Sequence, residues 1–146
     1  MEEKEQKYKT GLLMGVFDLF HIGHLNLIKR AAERCEYLRV AVLSDELAKE
    51  YKGQYPVIPE QERAELLRAV RYVDEVVIIE DTPSRLAEYD RRPFECFFSG
   101  DDYEGNDYWK WEKEELNKLG ADICFFPYTK SRSSTDIRNR IKKDLS

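Results

Sequence analysis

Leu12-Leu13-Met14-Gly15-Val16-Phe17-Asp18-Leu19-Phe20-His21-Ile22-Gly23-His24 is the stretch that decides the fold. It begins as an apolar run, the pattern of a strand buried on both faces. It then passes through a short polar break into a segment with helical spacing, where Leu25, Ile28, Ala32 and Cys35 recur three or four apart. A buried strand feeding straight into an amphipathic helix is the opening of a parallel α/β unit.

Reading outward, four more apolar runs suggest strands at Leu38–Leu43, Glu75–Ile79, Phe94–Ser99 and Ile123–Pro127, after a first at Leu12–Phe17. Between them the spacing predicts helices over Gly23–Arg34, Glu60–Val70, Pro83–Arg91 and Tyr108–Leu119. A last helix is expected from Ser133 or Ser134 to the C-terminus. Pro59 opens the second helix, where a missing N–H costs nothing, and Gly120 follows the fourth, as a C′ glycine does. The expected architecture is a doubly wound, Rossmann-like α/β domain. It has a five-stranded parallel sheet with helices on both faces and right-handed crossovers. Ligands of such sheets bind at the carboxyl ends of the strands. The chemistry is therefore expected just after Phe17, Leu43, Ser99 and Pro127.

The 146 residues suit one domain, with residues 1–10 a flexible N-terminal segment. A 42% hydrophobic and 12% aromatic content supports a packed core. A net charge of −5 argues against a nucleic-acid surface. No apolar run approaches the ~20 residues of a membrane span. The charged start, Met1 to Lys9, is unlike a signal peptide. The three cysteines, Cys35, Cys96 and Cys124, lie far apart without a CxxC pair, which points to reduced thiols in a cytoplasmic protein.

His21 and His24 are the two histidines of the chain, placed where the first helix begins. A helix N-terminus attracts phosphate. Imidazoles there can donate to phosphate oxygens, and can carry charge when a phosphate is bound. Gly15 and Gly23 let backbone approach a ligand. Such a cradle suits nucleotidyl transfer, in which catalysis is positioning plus electrostatic stabilisation. A zinc pair and simple helix capping remain open from these residues alone.

Gly15-Val-Phe-Asp-Leu-Phe-His-Ile-Gly-His24 resembles the nucleotide-binding signature of the cytidylyltransferase family, whose His-x-Gly-His pattern is shared by a wider nucleotidyltransferase superfamily. Three further segments resemble it in order, so the likeness runs from about Leu12 to Ile141. The segment Ser44–Gly53, followed by Glu62-Arg63 and Arg71-Tyr-Val-Asp-Glu-Val76, resembles a loop with a catalytic lysine, a helix-opening Glu-Arg pair and a turn into a strand. Gly100-Asp-Asp-Tyr-Glu-Gly105 resembles the family's Gly-Asp-Asp-Trp. Pro127-Tyr-Thr-Lys-Ser-Arg-Ser-Ser-Thr-Asp136 resembles its hydroxyl-rich helix start.

The resemblance implies transfer of CMP from CTP to a small phosphorylated alcohol, glycerol 3-phosphate first, with pyrophosphate released and Mg2+ accompanying CTP. Choline phosphate, ethanolamine phosphate or an adenylyl transfer are the alternatives, and a CTP-binding regulatory module is the non-enzymatic one. Tyr103, Tyr108, Trp109 and Trp111 could cage a quaternary amine. It implies catalytic roles for His21, His24 and Lys52. It implies CTP contacts from Gly15, Val16, Phe17, Asp18, Gly23, Asp102, Thr129, Arg132, Ser133, Ser134 and Thr135. Lys52 and Arg63 would face the phosphorylated alcohol; Lys49 is the rival lysine, and an ion pair with Glu60 the rival role for Arg63. Metal ligands are not assignable. The family typically forms homodimers. Tyr128, Ser131 and Arg132 stand where many members have arginine, glycine and isoleucine, and Arg132 is expected to replace the missing arginine.

Overall fold

Leu12 and Leu13 face opposite sides of one strand, yet both are almost wholly inaccessible to solvent. That is the central-strand pattern the apolar run foretold. The computed structural model describes residues 7–100, 107–126 and 134–145. The elements run β1 (Tyr8–Gly15), α1 (Ile22–Glu33), β2 (Cys35–Leu43), α2 (Asp45–Lys52) and α3 (Glu60–Arg68). They continue as β3 (Glu75–Ile79), α4 (Arg85–Arg91), β4 (Cys96–Gly100), α5 (Asp107–Lys118), β5 (Asp122–Phe126) and α6 (Ser134–Leu145). All strand pairs are parallel, in the order β3-β2-β1-β4-β5. The order reverses between β1 and β4, the place where open α/β sheets bind ligands.

Two apolar layers sandwich the sheet. On one side Ile28 and Ala31 of α1 and Leu67 of α3 pack on Leu13, Val40, Val42 and Phe98. On the other, Leu47 and Ala48 of α2 and Leu116 of α5 pack on Leu12, Ala41, Leu43 and Phe97. Gly11 sits where β1 passes closest to its neighbours. A Cβ there would lie 2.5 Å from the Phe98 ring and 2.8 Å from Cys35 Sγ, so no larger residue fits without displacement.

Three local differences from the sequence reading have physical causes. The first strand starts at Tyr8, inside the segment expected to be flexible. Tyr8 N–H donates to the Arg34 carbonyl at 2.8 Å, and Lys9 N–H to the Glu95 carboxylate. It also ends early, at Gly15, because Phe17 takes a left-handed φ of 55°. Finally, the lysine-bearing segment expected as a loop is helix α2. Ser44 Oγ accepts from Leu47 N–H at 3.2 Å, and Gly53 closes the helix at φ 83°. Asp45 and Glu46 in the first turn and Lys49 and Lys52 in the last match the helix dipole. No helix among the described residues is long and apolar enough to cross a membrane.

Candidate nucleotide site

The site begins at the carboxyl end of β1. Phe17 and Leu19 both hold positive φ, 55° and 51°, a costly conformation for such residues that surrounding structure must enforce. Asp18 between them supplies the enforcement. It is buried, and its carboxylate accepts from Val57 N–H at 2.7 Å, from Ile58 N–H at 2.9 Å and from the Arg138 guanidinium. One carboxylate therefore ties the β1–α1 turn to the segment before α3 and to α6. Gly15 lies close to its neighbour: a Cβ there would come 3.2 Å from the Phe17 ring, which would have to shift slightly.

His21 and His24 form a reciprocal cap on α1. Gly23 N–H donates to His21 Nδ1 at 3.0 Å, and His21 N–H donates to His24 Nδ1 at 3.3 Å. An accepting Nδ1 carries no proton, so both rings are neutral with the proton on Nε2. The rings stack with centroids 3.9 Å apart, and Phe17 and Phe20 also pack against His24. Burial and then the neighbouring His21 pull the His24 pKa down to about 4. The charge expected of the pair with a phosphate bound belongs to a different state from this neutral, unliganded one. What it offers is Nε2–H donors. Gly23, expected to lend its backbone to a ligand, has its N–H engaged in the cap.

A pH dependence follows. A histidine with a depressed folded pKa is favoured neutral, so the unfolded chain binds the extra proton between about pH 6.5 and 4. The stability this group contributes is whole above pH 6.5 and is lost as pH falls toward 4. Thermal melts across that window should show a fall that flattens in His24→Gln; parallel curves for the two proteins would contradict it.

Arg63 is placed differently from its expected role. It is 1% exposed. Its guanidinium donates to the carbonyls of Ile58 (2.8 Å), Val16 (2.7 Å) and Leu43 (2.9 Å) and pairs with Asp45 at 2.6 Å. With these four partners it clamps the ends of β1 and β2 from inside, so it does not face a phosphorylated alcohol. The rival ion pair was also misassigned: its partner is Asp45, while Glu60 instead accepts from Asp45 N–H at 2.9 Å.

A cavity of about 330 Å3 opens over this turn, lined by Val16, Phe17, Asp18, His24, Lys52 and Arg138 among others. A second, of about 580 Å3, shares Val16 and Lys52 with it. Its walls include Met14, Gly15, Tyr51, Thr82, Ser84 and Trp109. Lys49 turns to the ring of Tyr55, 4.9 Å away, which leaves Lys52 as the cavity lysine of α2. Arg138 was missed in the sequence. Its signal was its place on α6, one turn after Ser134, where it shares a face with the helix start. Asp102, Tyr128, Thr129, Ser131, Arg132 and Ser133 lie outside the described residues, as do the side chains of Ser134 and Thr135, although α6 opens at Ser134 as expected.

The geometry thus sets the neutral donor His24 and the cations Lys52 and Arg138 around a polar hollow at the carboxyl end of β1, an arrangement that can hold a polyphosphate; His21 is not among the residues lining either cavity. The profile of the cytidylyltransferase-like proteins matches residues 12–140. The chain belongs to this family. An FAD synthase of Pyrococcus abyssi is 34% identical over 131 residues, covering 88% of this chain and 87% of that one. A glycerol-3-phosphate cytidylyltransferase of Bacillus subtilis is 31% identical over 135 residues, covering 91% and 97%. The match to an FAD synthase of Thermococcus kodakarensis is 49% identical, but spans only about half of each protein, 53% of this chain and 52% of that one. The chain is a cytidylyltransferase-like nucleotidyltransferase.

Proposed function

We propose that the protein transfers CMP from CTP to a small phosphorylated alcohol, with glycerol 3-phosphate the first candidate. An oxygen of the acceptor's phosphate attacks the α-phosphorus, and the bond to the leaving pyrophosphate breaks. The observation that carries this reading is the pair of cavities meeting at Lys52. The smaller, with His24 and Arg138, suits the triphosphate. The larger, with hydroxyls of Tyr51, Thr82 and Ser84 beside Lys52, suits a phosphorylated polyol. Lys52 stands where both substrates would present phosphate. The full-length likeness to the Bacillus subtilis glycerol-3-phosphate cytidylyltransferase supports the same reading.

Mg2+ would arrive with the nucleotide. The cavity carboxylate, Asp18, is engaged by two backbone N–H groups and Arg138, so the phosphates rather than Asp18 would hold the ion. A quaternary amine acceptor is disfavoured, because Arg85 already lies over the Trp109 ring at 4.2 Å and would repel it.

A second reading, adenylyl transfer from ATP to FMN, is favoured by the size of the larger cavity and by the Pyrococcus abyssi FAD synthase. Against it, Trp109 is already packed by Arg85, Phe97 and Phe125, which leaves it poorly placed to stack on a flavin ring. Pyrophosphate release should be measured with CTP and ATP against glycerol 3-phosphate, choline phosphate and FMN. CTP with glycerol 3-phosphate should exceed the ATP reactions by at least ~10-fold in kcat/KM, about 1.4 kcal/mol. Faster turnover of ATP with FMN would replace the first reading by the second.

Lys52→Ala should lower kcat/KM by ~10–100-fold, the worth of a charge-assisted phosphate contact of ~1.5–3 kcal/mol. Lys49→Ala, whose ammonium sits on Tyr55, should change it by less than about threefold. Equal losses in the two variants would remove Lys52 from its assigned place.

A further inference from the structure

Two walls of the larger cavity come from different helices, and one buried carboxylate ties them together. Glu112 of α5 is fully buried. Its Oε1 accepts from Arg85 N–H at 2.9 Å and from Arg85 Nε at 2.5 Å, and its Oε2 accepts from Arg85 Nη2 at 3.1 Å. The backbone bond holds the start of α4, next to Thr82 and Ser84 in the cavity wall. The side-chain bonds lay the guanidinium over Trp109, 4.2 Å from the ring centroid, with the Phe97 ring 5.7 Å away. Arg85 and Trp109 both line the cavity, as does Lys52.

A guanidinium carries five N–H donors in a fixed plane. Glu112 takes the Nε donor and one from Nη2, and among the described residues nothing accepts from Nη1. No buried side-chain nitrogen among those residues lacks a partner, so Nη1 is accessible at the wall that Arg85 lends to the cavity. The Glu112 carboxylate offsets the charge of Arg85, which therefore offers directional donors more than net charge. Lys52, a compact ammonium in the same cavity, is the group suited to a phosphate.

Resting on the acceptor reading above, we infer that Arg85 determines acceptor specificity: Nη1 donates to the hydroxyl oxygens of a phosphorylated polyol, and Glu112 is the positioning residue that fixes it. An acceptor without hydroxyls would cover Nη1, displace its water and supply no oxygen in return. Sites that hydrogen-bond a substrate hydroxyl reject the analogue lacking it for that reason. Bidentate pairing with Glu112 and the stack on Trp109 remove the rotamer freedom that an arginine otherwise loses on binding. The same chemistry would serve glycerol 3-phosphate and the ribityl phosphate chain of FMN, so the assignment of Arg85 survives a change between those two acceptors.

The test compares kcat/KM, with CTP, for glycerol 3-phosphate and for n-propyl phosphate, which keeps the carbon chain and the phosphate but has no free hydroxyl. Wild type should favour glycerol 3-phosphate by ~10–100-fold. Arg85→Met, whose side chain still covers Trp109, should lower that ratio by about tenfold, and Arg85→Lys should recover only part of it. Glu112→Gln should raise KM for glycerol 3-phosphate more than it lowers kcat, with the ratio falling part of the way. A wild-type ratio near one would overturn the inference, as would equal losses on both acceptors in Arg85→Met, the mark of a merely structural arginine. An unchanged ratio in Glu112→Gln would remove its positioning role. If wild type instead turns over ATP with FMN and not CTP with glycerol 3-phosphate, the first acceptor reading fails while Arg85 stays on trial. Arg85→Met should then raise KM for FMN by about tenfold, and an unchanged KM would overturn the inference.

Discussion

His24→Ala is expected to lower kcat by ~10²–10³ while changing nucleotide affinity much less. The reason lies in what each ring nitrogen does. Nδ1 of His24 accepts from His21 N–H and so fixes the ring, and the ring is stacked between His21 and Phe20. The remaining nitrogen, Nε2, carries the proton on a ring that lines the smaller cavity. A neutral, pre-aligned donor contributes most where charge grows during the reaction, which is on the phosphoryl oxygens of the transition state. Alanine also removes half of the reciprocal cap, at ~1 kcal/mol of helix stability. Glutamine separates the two effects, since its amide keeps polarity but not the ring's aim. Steady-state rates, with nucleotide affinity from calorimetry, distinguish the outcomes. Turnover within about threefold of wild type in both variants would make the pair structural only. His21→Ala should lose rate similarly, and more stability, because His21 is the N-cap itself.

The capping reading and the phosphate reading of these histidines looked like rivals in the sequence. In the structure Nδ1 of each ring is engaged in the cap, and His24 also lines the smaller cavity, so capping and ligand contact are compatible for that ring. Spacing alone could not show this, because it locates residues and not ring nitrogens. The sheet was legible for a simpler reason. Strands buried on both faces must be apolar, as Val40–Leu43 of β2 are; the edge strand Glu75–Ile79 is only partly buried, yet its apolar run carries the same bounds in sequence and structure. β1 was read short because Tyr8, Lys9 and Thr10 include residues that pair at a sheet end and still face water. Helix α2 was legible in Ser44 and Gly53 but was passed over, as its short charged run has little apolar periodicity. Arg63 and Arg138 were opaque for a common cause. Their partners Val16, Leu43 and Asp18 are far away in the chain, and arginine is seldom as buried as Arg63 is.

Arg63→Ala is expected to destabilise the protein by about 3 kcal/mol, the lower end for removing one partner of a buried pair. The sum is reasoned from the partners left behind. Asp45 is partly exposed and can regain water, which limits its share. The carbonyls of Val16, Leu43 and Ile58 each lose a donor, at ~1 kcal/mol or more apiece. At ~2–4 °C per kcal/mol for a chain of this size, the melting temperature should drop by about 6–12 °C. Activity should fall even where the variant stays folded, for a geometric reason. Val16 lines both cavities, Leu43 ends β2 beside them, and Ile58 belongs to the segment whose N–H groups hold Asp18. Releasing those three carbonyls loosens the turn that aims His24. Arg63→Lys should recover only part of the stability, since one ammonium cannot reproduce the planar fork that reaches three carbonyls and a carboxylate. Calorimetric melts and steady-state kinetics on both variants give the decision. An unchanged melting temperature with a raised KM for the phosphorylated alcohol would return Arg63 to the substrate role its sequence position suggested.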